Sequence, residues 1–139
     1  MPRRAELRIG RVTAVHPHAW LWEPLEDEAS FTLRSMFGTK VVYLDEKLVL
    51  CFAAKAEPWR GVLVCTERAH HASLTAEIPA LSVHPVLGKW LYLPEVTDDF
   101  ERIAERIVRL VHRRDQRIGV WPLPKKKRKG RNPQGFRAD

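Results

Sequence analysis

Between Met36 and Pro94 the apolar residues come in short runs rich in β-branched and aromatic side chains: Val41-Val42-Tyr43-Leu44, Leu48-Val49-Leu50-Cys51-Phe52 and Val62-Leu63-Val64-Cys65. Runs of this length and composition predict strands. Only Asp45-Glu46-Lys47 separates the first two, a polar connection of hairpin length. Strands joined so tightly must be antiparallel, because a parallel pair needs a crossover of about a dozen residues. Pro58 and Gly61 bracket the turn into the third strand, and Thr66-Glu67 is placed to cap a short helix through about Ala76, ended by Pro79. Leu81 to His84 predicts another short strand before Pro85. Lys89-Trp90-Leu91-Tyr92-Leu93 predicts the last, closed by Pro94.

The period then changes. Phe100, Ile103, Ala104, Ile107, Leu110 and Val111 recur at helical spacing and form one apolar stripe. Asp98 and Glu101 have the spacing of a capping box, which predicts a helix from Asp98 to about His112 or Arg114. Acids lie early in it and bases late, the order that complements the helix dipole. Arg102, Arg106, Arg109 and Arg113 read most simply as a solvated face.

The first thirty residues are less regular. Leu7, Ile9 and Val12 suggest a strand, Pro17 and Pro24 break any longer element after it, and Ala19-Trp20-Leu21-Trp22 is strongly apolar. This stretch predicts a cover segment with a short helix around 19 to 29. The hairpin strands are apolar at consecutive positions, so both faces of their sheet need cover. One helix covers one face. The other must meet the segment with Trp20 and Trp22 or a second copy of the chain, and a homodimer is expected. The fold class is α+β: a small antiparallel sheet packed by a long C-terminal helix and shorter helices.

Charge refines this picture. The chain has 24 Lys and Arg against 17 Asp and Glu, a formal +7 over 139 residues. Residues 121–139 hold seven of those bases against one acid, while residues 1–120 hold 17 and 16. The expectation is one nearly neutral domain over 1–120 and a basic, disordered tail over 121–139, where Pro122, Pro124 and Pro133 accompany the cations. The longest apolar run, Leu48 to Ala54, falls far short of the ~18 residues of a membrane helix. Met1 to Glu6 is basic without an apolar stretch behind it, so no secretory signal is expected. Cys51 and Cys65 each sit inside an apolar run and read as core thiols, which points to a reducing cytoplasm.

Catalytic signatures are absent. There is no phosphate-cradling glycine loop, nucleophile elbow or His-Glu-x-x-His zinc motif. His70 and His71 are adjacent and would point about 100° apart on a helix, a poor geometry for one metal, so no metal or cofactor is expected. Trp59, His84, Lys89 and Trp90 are candidates for a pocket. A tight turn at Pro85-Val86-Leu87-Gly88 accounts for the last three without a ligand, and Trp59 can serve as a loop anchor. The cationic run Lys125, Lys126, Lys127, Arg128, Lys129, with Arg131, is the candidate nucleic-acid contact, because such runs bind phosphates with strong salt dependence. Apart from Trp121 and Phe136 it has no interleaved aromatics, so stacking on single strands is not indicated by the tail. Any binding through it would tolerate sequence.

The entry Arg34-Ser35-Met36-Phe37-Gly38, leading to the hairpin from Val41 to Val49, resembles the amino-terminal domain of TfoX (Sxy) proteins. In that family an Arg/Lys-x-Met-Phe-Gly-Gly entry leads into a strand, a short turn and a second strand. A Tyr-x-x-x-Pro segment later precedes a carboxy-terminal helix. Here Trp90-Leu91-Tyr92-Leu93-Pro94-Glu95 and the helix from Asp98 stand in those places. The arrangement is also similar to the YjbR (MmcQ) group, whose α+β fold has been compared with double-winged DNA-binding domains. The likeness covers roughly residues 30 to 114. It places Met36 and Phe37 in the core and Gly38 in a turn. Thr39 departs from it by replacing the second glycine, as do the longer piece between Thr66 and Gly88 and the lack of a second TfoX-type domain after the helix. TfoX proteins act in regulating competence genes, and the missing domain separates this chain from that specific role. The resemblance carries no catalytic residues. It implies a non-enzymatic binding module, regulatory or nucleic-acid-associated; the alternative is a homodimeric protein-interaction scaffold with no nucleic-acid role.

Overall fold

A computed structural model describes residues 16–36 and 38–122. Leu7, Ile9, Val12, Phe37 and the whole cationic run from Lys125 to Arg131 lie outside the described residues. Helix α1 (Ala19–Trp22) continues into a 3-10 turn (Glu23–Leu25), and strands β1 (Thr32–Met36), β2 (Thr39–Leu44), β3 (Lys47–Ala54) and β4 (Arg60–Val64) come next. A second 3-10 turn (Arg68–His70) then opens α2 (His71–Glu77). Strands β5 (Ser82–Val83) and β6 (Leu91–Pro94) and helix α3 (Phe100–His112) complete the order. The strands form one antiparallel sheet in the order β1-β2-β3-β4-β6-β5. The fold is α+β, as expected.

Cross-strand register sorts the apolar runs onto two faces, because residues directly opposite one another share a side of the sheet. The rows Val42–Leu50–Val64–Leu91 and Lys40–Phe52–Val62–Leu93 face the helices. There α3 buries Phe100, Ala104, Ile107, Val108, Leu110 and Val111 over them, and Leu74 of α2 joins the same core. The intervening row Val41–Cys51–Leu63–Tyr92 belongs to the opposite face and forms a separate, smaller cluster. The consecutive apolar positions of β3 are explained by this: its residues contribute to a cluster on each face.

Several expectations are corrected. The segment with Trp20 and Trp22 does not cover the second face. Leu21 and Trp22 pack on the helix side, with the Trp22 ring 5.2 Å from Phe52, because a single turn of helix can only fill the gap beside α3. The helix expected over 19–29 ends at Trp22 and tightens to 3-10 at Pro24, which has no N–H to continue an α-helical ladder. Strand β1 has no counterpart among the expected elements, because four of its five residues are exposed and it lacks a buried alternation. Met36 is not core; it lies on this edge strand and is 46% exposed. Thr66 does not cap α2. Its hydroxyl donates instead to the Arg117 carbonyl at 2.6 Å. At α3 the N-cap is Asp99, in a left-handed conformation with no side-chain cap bond, and its carboxylate pairs with Arg102 at 2.8 Å.

Two polar devices hold the edges. Asp45 and Glu46 both take positive φ (54° and 69°), forming the two-residue hairpin turn that glycine usually supplies. Asp45 is held there by its N–H to Ser30 Oγ (2.9 Å), the Ser30 hydroxyl to its Oδ1 (2.7 Å) and Arg114 Nε to its Oδ2 (2.7 Å). Past α3, Arg117 donates to Asp115, Glu77 and the Ser73 hydroxyl, clamping the chain to α2. The Gly119 N–H then reaches the Cys65 carbonyl at 2.7 Å, and Val120 exchanges two backbone hydrogen bonds with Leu48. The segment thereby extends the β4 lane alongside β3. No helix among the described residues is long and apolar enough to cross a membrane.

Candidate functional site

The face of the sheet away from α3 is only partly closed. Loop residues Trp59, Leu87 and Trp90 pack over one side of the Val41–Cys51–Leu63–Tyr92 row, and Val120 packs over the other. Against Trp59, Leu87 and Trp90 lies an apolar hollow of about 360 Å³. Val41, Cys51 and Leu63 form its floor, Trp59, Leu87 and Trp90 a wall, and Met36, Thr39 and Lys55 the mouth beside β1. Its size and lining are those of small-ligand sites, which are mostly apolar with few polar groups.

His84 builds the wall from behind. It has no exposed surface, and its Nδ1 accepts the N–H groups of Val86 (3.1 Å) and Leu87 (3.0 Å). With Nδ1 an acceptor, Nε2 carries the proton and donates to the Pro58 carbonyl at 2.7 Å. The ring lies 4.4 Å from Trp59 and 5.1 Å from Tyr92 between centroids. Both nitrogens are thus committed to structure. Tyr92 is fixed similarly: its hydroxyl donates to Glu57 Oε1 (2.7 Å) and accepts the Arg60 N–H (2.8 Å). Burial, reinforced by Glu57, pushes that phenol's pKa well up, so it stays protonated.

Lys55 reaches the mouth by crossing Gly38. A methyl group on Gly38 would sit 2.8 Å from Lys55 Cε, and the residue's φ of +80° already favours glycine. The close passage of the lysine stem therefore uses the turn glycine expected from the sequence. Arg34 lies over the Tyr43 ring at 5.7 Å and Lys89 over the Trp90 ring at 5.8 Å. Among the described residues, Arg34, Lys55 and Lys89 are in no ion pair, whereas Arg102, Arg106, Arg114 and Arg117 on the helix side all are. The exposed Glu57, bonded to Tyr92, is the acid that stands near the open face. This face is thus apolar at its centre and cationic at its rim.

Of the four pocket residues expected from the sequence, Trp59 and Trp90 line the hollow, Lys89 stands over Trp90 at its edge, and His84 is a buried strut behind it. Met36, Val41, Cys51, Lys55 and Leu63 line it as well, although no sequence motif marks them. The available signal is the unbroken apolar run of β3, which implies a second apolar face but does not say which residues leave it open. Cys51 and Cys65 are both buried, with their sulfurs 3.9 Å apart, and burial raises the Cys65 thiol pKa well above its ordinary value. The His71 Nε2 is 2.9 Å from the Lys89 carbonyl, and no cluster of three metal-ligating side chains occurs among the described residues.

A second hollow, of about 460 Å³, lies between α1 and α3. Glu105 stands in it beside Arg109, His112 and Arg113, so it offers charges of both signs. Comparison of the chain with protein-family models, with curated proteins and with solved structures yields no match.

Proposed function

We propose that this protein is a non-enzymatic binding module, regulatory or nucleic-acid-associated, that works through the open face of its sheet while the basic tail supplies phosphate affinity. The observation that carries the reading is the asymmetry of the sheet. One face is closed by α3, α1 and α2; the other keeps an apolar hollow with Lys55 at its mouth and Arg34 and Lys89 beside it, none of the three in an ion pair among the described residues. The polar groups nearest the hollow support binding over catalysis, since His84 and Tyr92 are consumed by structural hydrogen bonds. The TfoX-like resemblance, which brings no catalytic residues, agrees with this reading, and the buried free thiols agree with a cytoplasmic setting. The described residues end at Pro122, two residues past the Leu48–Val120 bridge.

The test is titration of the full chain with duplex DNA at two salt concentrations, alongside three full-length variants. One replaces Lys125 to Lys129 with Gln, one carries Arg34→Glu with Lys55→Glu, and one carries Arg109→Glu with Arg113→Glu on α3. Neutralising five phosphate contacts should lower the salt slope by about 4. The open-face pair should weaken binding and the α3 pair should not. Equal losses from both pairs would refute a role for the open face, and unchanged binding by the tail variant would remove the tail from the account.

A second reading is favoured by one observation: Met36, on the edge strand β1, is exposed at the lip of the apolar hollow, as a self-interface would require. A homodimeric interaction domain would bury this face against a second copy. Light scattering at micromolar concentration then gives twice the monomer mass, and Met36→Lys restores the monomer.

A further inference from the structure

We propose that the hollow on the open face binds a small amphiphilic anion, an apolar body of about a dozen non-hydrogen atoms with one carboxylate-like group at its end. This rests on the reading of the open face as the working surface and adds a ligand class to it.

The size comes from the volume. At about 30 Å³ per water-sized group, the hollow of about 360 Å³ holds roughly twelve such groups. The apolar character comes from the floor and wall. Val41, Cys51 and Leu63 are each under 5% exposed, and Trp59 and Trp90 flank them. Its one charged lining side chain, Lys55, and the Thr39 hydroxyl stand at the mouth. An elongated apolar body with a single polar end fits that pattern.

The sign of the polar end is set by Lys55. Its stem is seated across Gly38, which delivers the ammonium to the mouth beside Met36 and Thr39. Arg34 and Lys89 do not line the hollow but lie beside it, over Tyr43 and over the lining residue Trp90. Among the described residues none of the three has a carboxylate within ion-pairing distance, whereas Arg102, Arg106, Arg114 and Arg117 each have one. The Glu57 carboxylate is bonded to the Tyr92 hydroxyl. An anionic end therefore meets attraction from the Lys55 ammonium at the mouth, and a cationic end meets repulsion from it. The hollow between α1 and α3 is lined by charges of both signs and makes no such selection.

The test is calorimetric titration of the full chain with sodium decanoate, which matches the expected size, and with decylammonium, which differs at the polar end. Both are kept below their micelle-forming concentrations. Decanoate should bind saturably with one site per chain, roughly tenfold tighter than decylammonium. Lys55→Gln, an exposed change that leaves the core untouched, should weaken decanoate about fivefold and narrow the gap between the two ligands. Thr39→Trp, at the mouth, should obstruct both. Equal affinity for the two ligands, or a preference that survives Lys55→Gln unchanged, overturns the proposal. So does saturable binding that Thr39→Trp leaves intact, or a dimer mass in the same sample showing that a second copy fills the hollow. Loss of DNA binding in the open-face variants without decanoate binding would overturn the ligand assignment and keep the face; decanoate binding without DNA binding would keep the ligand assignment and overturn the nucleic-acid role.

Discussion

At the scale of single residues, the histidines separate most clearly into roles that sequence spacing does not show. His84 has the sequence context of a pocket residue because it precedes a turn and a tryptophan. Its burial instead commits both ring nitrogens, one to two backbone donors and one to the Pro58 carbonyl. His84→Ala would leave those groups unsatisfied and open a void behind Trp59, at a cost of about 3 kcal/mol in a urea unfolding titration. His16 and His18 act through pH. Burial lowers both pKa values below the usual 6.5, with the charge of His18 adding to the effect at His16, while Glu95, 3.2 Å from His18, pulls in the opposite direction without overcoming burial. The unfolded chain therefore takes up protons near pH 6.5 that the folded chain refuses. The stabilisation from the neutral rings is present above that pH and fades as pH falls below it toward the lowered folded-state values. The melting temperature should drop between pH 7.5 and 5.5, and the drop should shrink in His16→Gln with His18→Gln. Glu28, Asp45, Glu77 and Asp115, held by Arg114 and Arg117 below the ordinary carboxylate range, do not titrate in that window.

At the scale of elements, the legible parts are those whose burial is strong and periodic. Strands β2, β3 and β4 announce themselves by dense β-branched runs, and the stripe of α3 by its 3.6-residue recurrence. Elements set by tertiary contacts are not legible. Strand β1 is written in mostly exposed residues and exists because β2 offers it a partner. Thr66 carries a cap residue's chemistry but spends its hydroxyl on Arg117, fifty-one positions away. The β2–β3 turn is a conflict between local and tertiary preference, with Asp45 and Glu46 in a conformation suited to glycine. Asp45 is compensated by Ser30 and Arg114, whereas Glu46 is exposed to solvent. Glu46→Gly should therefore stabilise the protein, by up to about 1 kcal/mol in thermal unfolding, while Asp45→Gly should not. Destabilisation by Glu46→Gly would show that the turn strain is not where the backbone angles place it.

At the scale of the whole molecule, the sheet has one closed and one open face, and the charge is sorted accordingly. That both faces need cover is legible in the consecutive apolar residues of β3. What covers the second face is not, because its partial lid comes from Trp59, Leu87, Trp90 and Val120, scattered over about sixty positions and assembled only by the fold. The net charge of +7 points to the tail, yet the domain contributes its own cationic rim, invisible in a sum over residues 1–120 that nearly cancels. The measurement that tests the central claim most directly is a map of backbone and indole NMR shifts on the full chain as decanoate is added. Shifts concentrated at Val41, Cys51, Lys55 and Leu63 and at the Trp59 and Trp90 indoles are the predicted result. Shifts centred on Trp20 and on Val108 to Arg113, or none at all, would contradict it.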